Sequence, residues 1–215
     1  MKKRKQVDED KRKLTAAEQR RLAHLEEISE GLLAQGYRRV ELTIGIVRAN
    51  VIVLAAMIPV FAAGIALFVL CNQPLSITFQ PLRFIWFLLL YFALIVVHEL
   101  VHGITWGIFA AHHFKDIEFG VMWQLLTPYC TCTVPLTKRQ YILGGLMPLI
   151  VLGIIPTAIA IAAGSFFWLI IGLVMILSAG GDILLVWKLI RYKTDKQDVL
   201  IYDHPTKAGS IVFEK

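Results

Sequence analysis

Two histidines four residues apart, with a glutamate directly after the first, are the side chains in this 215-residue sequence most able to do chemistry: His98-Glu99-Leu100-Val101-His102, the pattern H-E-x-x-H. On a helix, His98 and His102 share one face, so their ring nitrogens can reach a single ion. Glu99 is turned by about 100° from His98, close enough to a water held by that ion while staying outside its ligand set. Zinc suits two imidazoles and a carboxylate and leaves a fourth position for water. It lowers the pKa of that water toward about 7, and Glu99 is the base that would take the proton. The competing reading is a pair of buried histidines satisfied by hydrogen bonds.

The elements that must position these residues are apolar. Segments 49–71, 84–110, 141–163 and 166–190 each exceed the ~20 residues that cross a hydrocarbon core of about 30 Å. From 49 to 187 the charged residues inside these segments are Glu99 and Asp182. An ionised carboxylate deep in a spanning helix costs roughly 2.5–3.5 kcal/mol on insertion scales, so both should face the bundle interior and be compensated there. Asp182 is the first-ranked third ligand. His102 and Asp182 each lie 8 residues before the end of their segment, about 12 Å at 1.5 Å per residue. Gly180 and Gly181 remove bulk that would keep the fourth segment from the second. The alternative is an aspartate satisfied by helix–helix hydrogen bonds. Rivals for the third position are His112, His113, Asp116 and Glu118 in the loop that follows. The extended pattern H-E-x-x-H-x-x-G-x-x-H is absent, because Thr105 and Ile108 hold its last two defined places, which excludes the metzincin class.

Composition agrees with a membrane setting. The chain is 57% hydrophobic and 18% charged, with mean hydropathy +0.64. A soluble domain has about 25% charged residues and cannot hide so much apolar surface at this size. The net charge of +6 is a basic head, since 12 of the 22 Lys+Arg fall in the first 48 residues. Basic loops on one side of a membrane give the same balance as a nucleic-acid binder, and no nucleic-acid partner is expected. Cys71, Cys130 and Cys132 are an odd set without framework spacing, so no structural disulfide is expected. No apolar run opens the chain, so no cleaved signal peptide is expected.

The fold class expected is an all-α membrane protein: four transmembrane helices with an N-terminal amphipathic helix and short cytoplasmic β segments. Residues 1–48 form a disordered basic tail, an amphipathic helix over about 15–35 and a short strand near 40–46. Residues 49–190 form the four-helix domain, and residues 191–215 a cytoplasmic tail with a β-hairpin. Thr15 and Glu18 have capping-box spacing, and packing on its own domain is favoured over lying on the bilayer for the helix they start. Pro148 and Pro156 fall inside the third segment and are positions for a kink. Lys and Arg flank the bundle at 1–48, 111–140 and 191–196. An even number of spans puts all three regions, and both termini, in the cytoplasm. In the 111–140 loop, Phe119, Val121, Trp123 and Leu125 alternate as an apolar strip. It reads either as a strand for an extended substrate or as an interfacial loop anchored by Trp123 and Tyr129. Gln124, Thr127 and Tyr129 are the candidate oxyanion donors.

The sequence resembles the DUF3267 zincin peptidase family, small membrane proteins distantly similar to site-2 proteases. Gly36-Tyr37, His98-Glu99-Leu-Val-His102-Gly103, Pro128-Tyr129-Cys130, Pro148, Gly181-Asp182 and Asp203-His-Pro carry the resemblance, which runs from about Gly36 onward. It implies that His98, His102 and Asp182 bind Zn2+ and that Glu99 is catalytic. Site-2 proteases place an Asp-Gly pair at the third ligand, whereas here glycine precedes the aspartate, and no PDZ domain is present. The activity expected is hydrolysis of peptide bonds in a membrane protein or peptide substrate at the lipid bilayer. The alternatives are a non-catalytic zinc-binding carrier or sensor, which would not need Glu99, and a structural adaptor, which would not need the metal.

Overall fold

Thr15 starts the first helix with a reciprocal cap: Glu18 N–H donates to Thr15 Oγ1 at 3.2 Å and Thr15 N–H to Glu18 Oε2 at 2.9 Å. Two of the donors that a helix start leaves unpaired are thereby satisfied. The computed structural model describes residues 14–74, 81–122 and 127–215, so the expected basic tail at 1–13 and Trp123, Gln124 and Leu125 lie outside the described residues. The first helix, α1 (Ala16–Ala34), ends at Gly36, whose φ of +90° is a left-handed stop open to glycine. Strand β1 (Arg38–Thr43) follows.

Among the described residues, three helices are long and apolar enough to cross a membrane: α2 (Ile46–Cys71), α3 (Pro81–Phe109) and the rod Lys138–Ala162. That rod is composite. Helix α4 (Lys138–Pro148) passes through a π-helical stretch, Leu149–Ile154, into α5 (Ile155–Ala162). Pro148 lacks the N–H that continues an α-ladder, and Pro156 sits in the first turn of α5, where that N–H is dispensable.

The expected fourth span is not one helix. It is α6 (Phe166–Ser178) and α7 (Gly180–Arg191), bent by 45° at Ala179. Two consecutive glycines after the break hold helical geometry weakly. The break puts Asp182 in the first turn of α7, where the helix dipole favours a carboxylate. The glycines do not act as expected on the second span. A Cβ on Gly180 would meet Val53 of α2, and one on Gly181 would meet nothing within 4 Å. Apolar contacts of Met57 and Phe68 with Ala160, Leu169 and Leu173 pack α2 on α5 and α6.

The described chain is mostly helical, with short strands paired into small antiparallel sheets. Between α3 and α4 lies an antiparallel ribbon of β2 (Ile117–Met122) and β3 (Thr127–Cys132), in register Phe119 with Cys130. The two-residue strand β4 (Leu136–Thr137) joins β5 (Val199–Asp203), β6 (Gly209–Glu214) and β1 in one sheet of order β1-β6-β5-β4. The segments before α2 and after α7 are thus neighbours, with Val40 opposite Val212. The sheet buries Tyr202, Ile211 and Phe213 under Leu25 of α1. Burying one such leucine contributes about 1.5–3 kcal/mol. Glu214 is fully buried and is held by Arg38 on β1 and by Tyr192 Oη at 2.9 Å.

Candidate metal centre

Helix α3 carries His98 and His102 on its buried face, one turn apart, and α7 brings Asp182 to them. His98 Nε2 lies 3.2 Å from His102 Nε2 and 3.2 Å from Asp182 Oδ2, and His102 Nε2 lies 3.5 Å from the same oxygen. Ligand atoms about 2.0–2.1 Å from a tetrahedral zinc ion stand about 3.3–3.4 Å apart, so the three edges fit one ion. Among the described residues this is the one group of three or more His, Cys, Asp or Glu with that convergence.

Proton bookkeeping supports the same reading. His102 Nδ1 is 2.9 Å from the Gly144 carbonyl oxygen, which can only accept, so Nδ1 carries the proton and Nε2 of a neutral ring is a bare lone pair. That lone pair faces His98 Nε2 and the Asp182 carboxylate. Two acceptors, His102 Nε2 and the Asp182 carboxylate, thus meet His98 Nε2 in one place, which a cation satisfies, as does a proton on His98 Nε2. His98 Nδ1, on the far side of its ring, is buried with no partner among the described residues.

The surroundings lock His102 in place. Its ring stacks on Trp106 with centroids 4.9 Å apart and planes at 16°. Trp106 Nε1–H donates to the Tyr141 carbonyl at 3.2 Å. The Tyr141 hydroxyl donates to Asp203, whose other oxygen accepts from Thr131 Oγ1 at 2.9 Å. Gly144 is tight against Trp106, since a Cβ there would overlap the indole. Gly103 and Gly107 likewise let the β2–β3 region close on α3, against Phe119 and Phe114. Orienting partners of this kind fix the ring and tautomer of a ligating histidine.

Glu99 is half-buried, and the backbone N–H of Cys130 on β3 hydrogen-bonds its carboxylate. It lines a cavity of about 600 Å³ together with His98, His102, Asp182, Tyr129 and Asp203. Arg21 of α1 reaches the same cavity with its guanidinium 4.4 Å from the Tyr129 ring centre. Burial raises the Asp203 carboxyl above its usual range even though Tyr141 and Thr131 donate to it. Burial also raises the Cys130 thiol, with Glu99 and Asp203 adding to the effect, and pushes Cys132 up to about 11. All three cysteines are free.

The rivals for the third position lie elsewhere. His112 Nδ1 is 3.2 Å from Asp116 Oδ1, and the same carboxylate accepts the His112 N–H at 2.6 Å, closing the turn after α3. His113 Nδ1 donates to the Gly107 carbonyl at 3.3 Å. Of the oxyanion candidates, Tyr129 lines the cavity. Sequence reasoning did not single out Trp106, Tyr141 or Gly144, and it named Asp203 only within the Asp203-His-Pro segment of the resemblance. Trp106, four residues after His102 on the same face, was the one with a readable signal.

The family model DUF3267, described as "Putative zincin peptidase", matches residues 91–196. The match spans the H-E-x-x-H helix, the ribbon and Asp182, and stops short of Asp203. No curated protein and no solved structure matches the chain.

Proposed function

With residues 91–196 belonging to the DUF3267 family, we propose that the chain is a zinc-dependent intramembrane metallopeptidase hydrolysing peptide bonds of membrane-associated substrates. The observation that carries the reading is the meeting of His98 Nε2, His102 Nε2 and Asp182 Oδ2 within 4.8 Å of one another. Glu99 shares their cavity. Zinc bound there supplies Lewis acidity and an acidified water. Glu99 accepts the water's proton at its carboxylate and later returns it to the leaving amine. Asp182 and the two histidines remain deprotonated at their ligating atoms throughout. An extended substrate lies along β3, which lines the cavity from Pro128 to Thr131.

The bilayer setting is part of the proposal. Residues such as Ile58 and Leu70 on α2 are 70% and 79% exposed, which water would not favour and lipid would. If the helices span a membrane, β1 and β6 can pair only after an even number of crossings, so α6 and α7 together count as the fourth. The Lys/Arg-rich segments then lie on the cytoplasmic side with both termini. His102 is 7 residues from Phe109 and Asp182 is 9 from Arg191, about 10 and 14 Å below that side at 1.5 Å per residue.

The test is Glu99→Gln in the full-length chain, incubated with a peptide library and read by mass spectrometry beside its zinc content. Retained stoichiometric zinc with cleavage lost by at least about a hundredfold supports a peptidase. Unchanged function in cells with zinc retained would instead mark a zinc carrier or sensor.

A further inference from the structure

We infer that Pro148 is a positioning residue for the metal centre: by lacking an N–H, it leaves the Gly144 carbonyl free to hold His102. In an α-helix the N–H of residue i donates to the carbonyl of residue i−4, so the natural donor to Gly144 O is residue 148. Proline has none. Pro148 is buried at the end of α4, and the helix beyond it shifts into the π-helical stretch Leu149–Ile154.

The next donor, Leu149 N–H, turns back to Leu146 O. The Gly144 carbonyl instead accepts from His102 Nδ1 at 2.9 Å, across from a different helix. Gly144 supplies the other half of the device. Its missing Cβ leaves room for the Trp106 indole that stacks on His102, so the acceptor can come within reach of the ring. Proline and glycine four residues apart thus turn one helical carbonyl outward and clear the way to it. The consequence is a single tautomer of His102, Nδ1–H with a bare Nε2 directed at His98 and Asp182. The inference rests on the metal-site reading, and it assigns the third span a role in that site although the span contributes no ligand.

Pro148→Ala restores the missing donor without adding bulk. Helix propensity predicts that this change leaves the metal-free fold as stable or makes it more so. Competition for the Gly144 carbonyl predicts zinc affinity weaker by about tenfold or more. Opposite signs for stability and affinity are what a merely structural proline would not produce. Pro156→Ala, in the same rod but outside the metal centre, should leave zinc affinity unchanged. The experiment is zinc titration of the full-length chain in detergent, with thermal unfolding of each metal-free variant. The wild-type His102 tautomer, read by ¹⁵N NMR of labelled histidine, serves even if Pro148→Ala fails to fold.

Weakened zinc binding in Pro148→Ala but not in Pro156→Ala, together with an Nδ1-protonated His102 in the wild type, supports the inference. Equal zinc affinity in folded Pro148→Ala, or an Nε2-protonated His102, overturns it. If the wild-type chain binds no zinc while His102 is Nδ1-protonated, the metal reading fails, and a His102 tautomer that shifts in Pro148→Ala still supports the proline's role while an unshifted one overturns it.

Discussion

Gly144 carries more of the site than any residue its size would suggest. Its carbonyl holds His102 and its absent side chain admits the Trp106 ring. Gly144→Ala must move that indole, and the indole is the plate on which His102 stacks. The expected result is zinc affinity lower by about ten- to a hundredfold, the range for lost orienting partners. Competition with a chromophoric chelator measures it. The four candidate residues named by spacing, His98, Glu99, His102 and Asp182, were legible because ionisable groups in apolar segments are costly enough to need a reason, and the structure brings His98, His102 and Asp182 together. Gly144, Tyr141 and Asp203 were not legible, because a backbone acceptor and a buried hydroxyl–carboxylate pair leave no periodic mark in sequence.

At the scale of elements, the long apolar runs, the capping box at Thr15 and the tail hairpin were readable from hydropathy and spacing. The break at Ala179 was not, since Gly180-Gly181 reads equally as a close helix contact or as a weak point, and the structure has both, Gly180 against Val53 of α2 and the bend at Ala179. Nor was the junction of β1 with β6, because non-local pairing has no signature in either strand alone. The β5–β6 turn yields a pH prediction. His204 Nδ1 accepts from Thr206 N–H at 3.2 Å and Lys207 N–H at 3.0 Å. Burial lowers the pKa of His204, aided by Lys207 and Arg39 and opposed by Glu41, which lies 3.7 Å from Nε2. A depressed histidine favours the neutral folded form. The turn is therefore at full stability above the ordinary value of about 6.5 and loses stability as pH falls through the folded value. Amide exchange at Thr206 and Lys207, corrected for intrinsic rates, should be slower at pH 7.5 than at pH 5.5, and His204→Ala should abolish the difference.

For the whole molecule, the sheet ties together the two ends of the described chain, and that constrains topology. Arg38 bonds Glu214 across β1 and β6, so residues 38 and 214 occupy the same side of any membrane the helices cross. Single cysteines placed at exposed positions 35 and 215, in a chain cleared of its own three, should be labelled from the same face of sealed vesicles by an impermeant maleimide. Labelling from opposite faces would contradict the four-crossing arrangement. The sheet also reaches the candidate site, through Asp203 on Tyr141 and Thr131. That makes the segment beyond 196 part of the site's surroundings, although the matched family segment ends there.

The most direct measurement is zinc X-ray absorption on the purified full-length chain beside Asp182→Ala. The account predicts one zinc per chain, with two imidazole nitrogens and a carboxylate oxygen at about 2.0–2.2 Å, the oxygen contribution and most of the affinity being lost in the variant. A wild-type chain without stoichiometric zinc, or an identical zinc environment in Asp182→Ala, would contradict it.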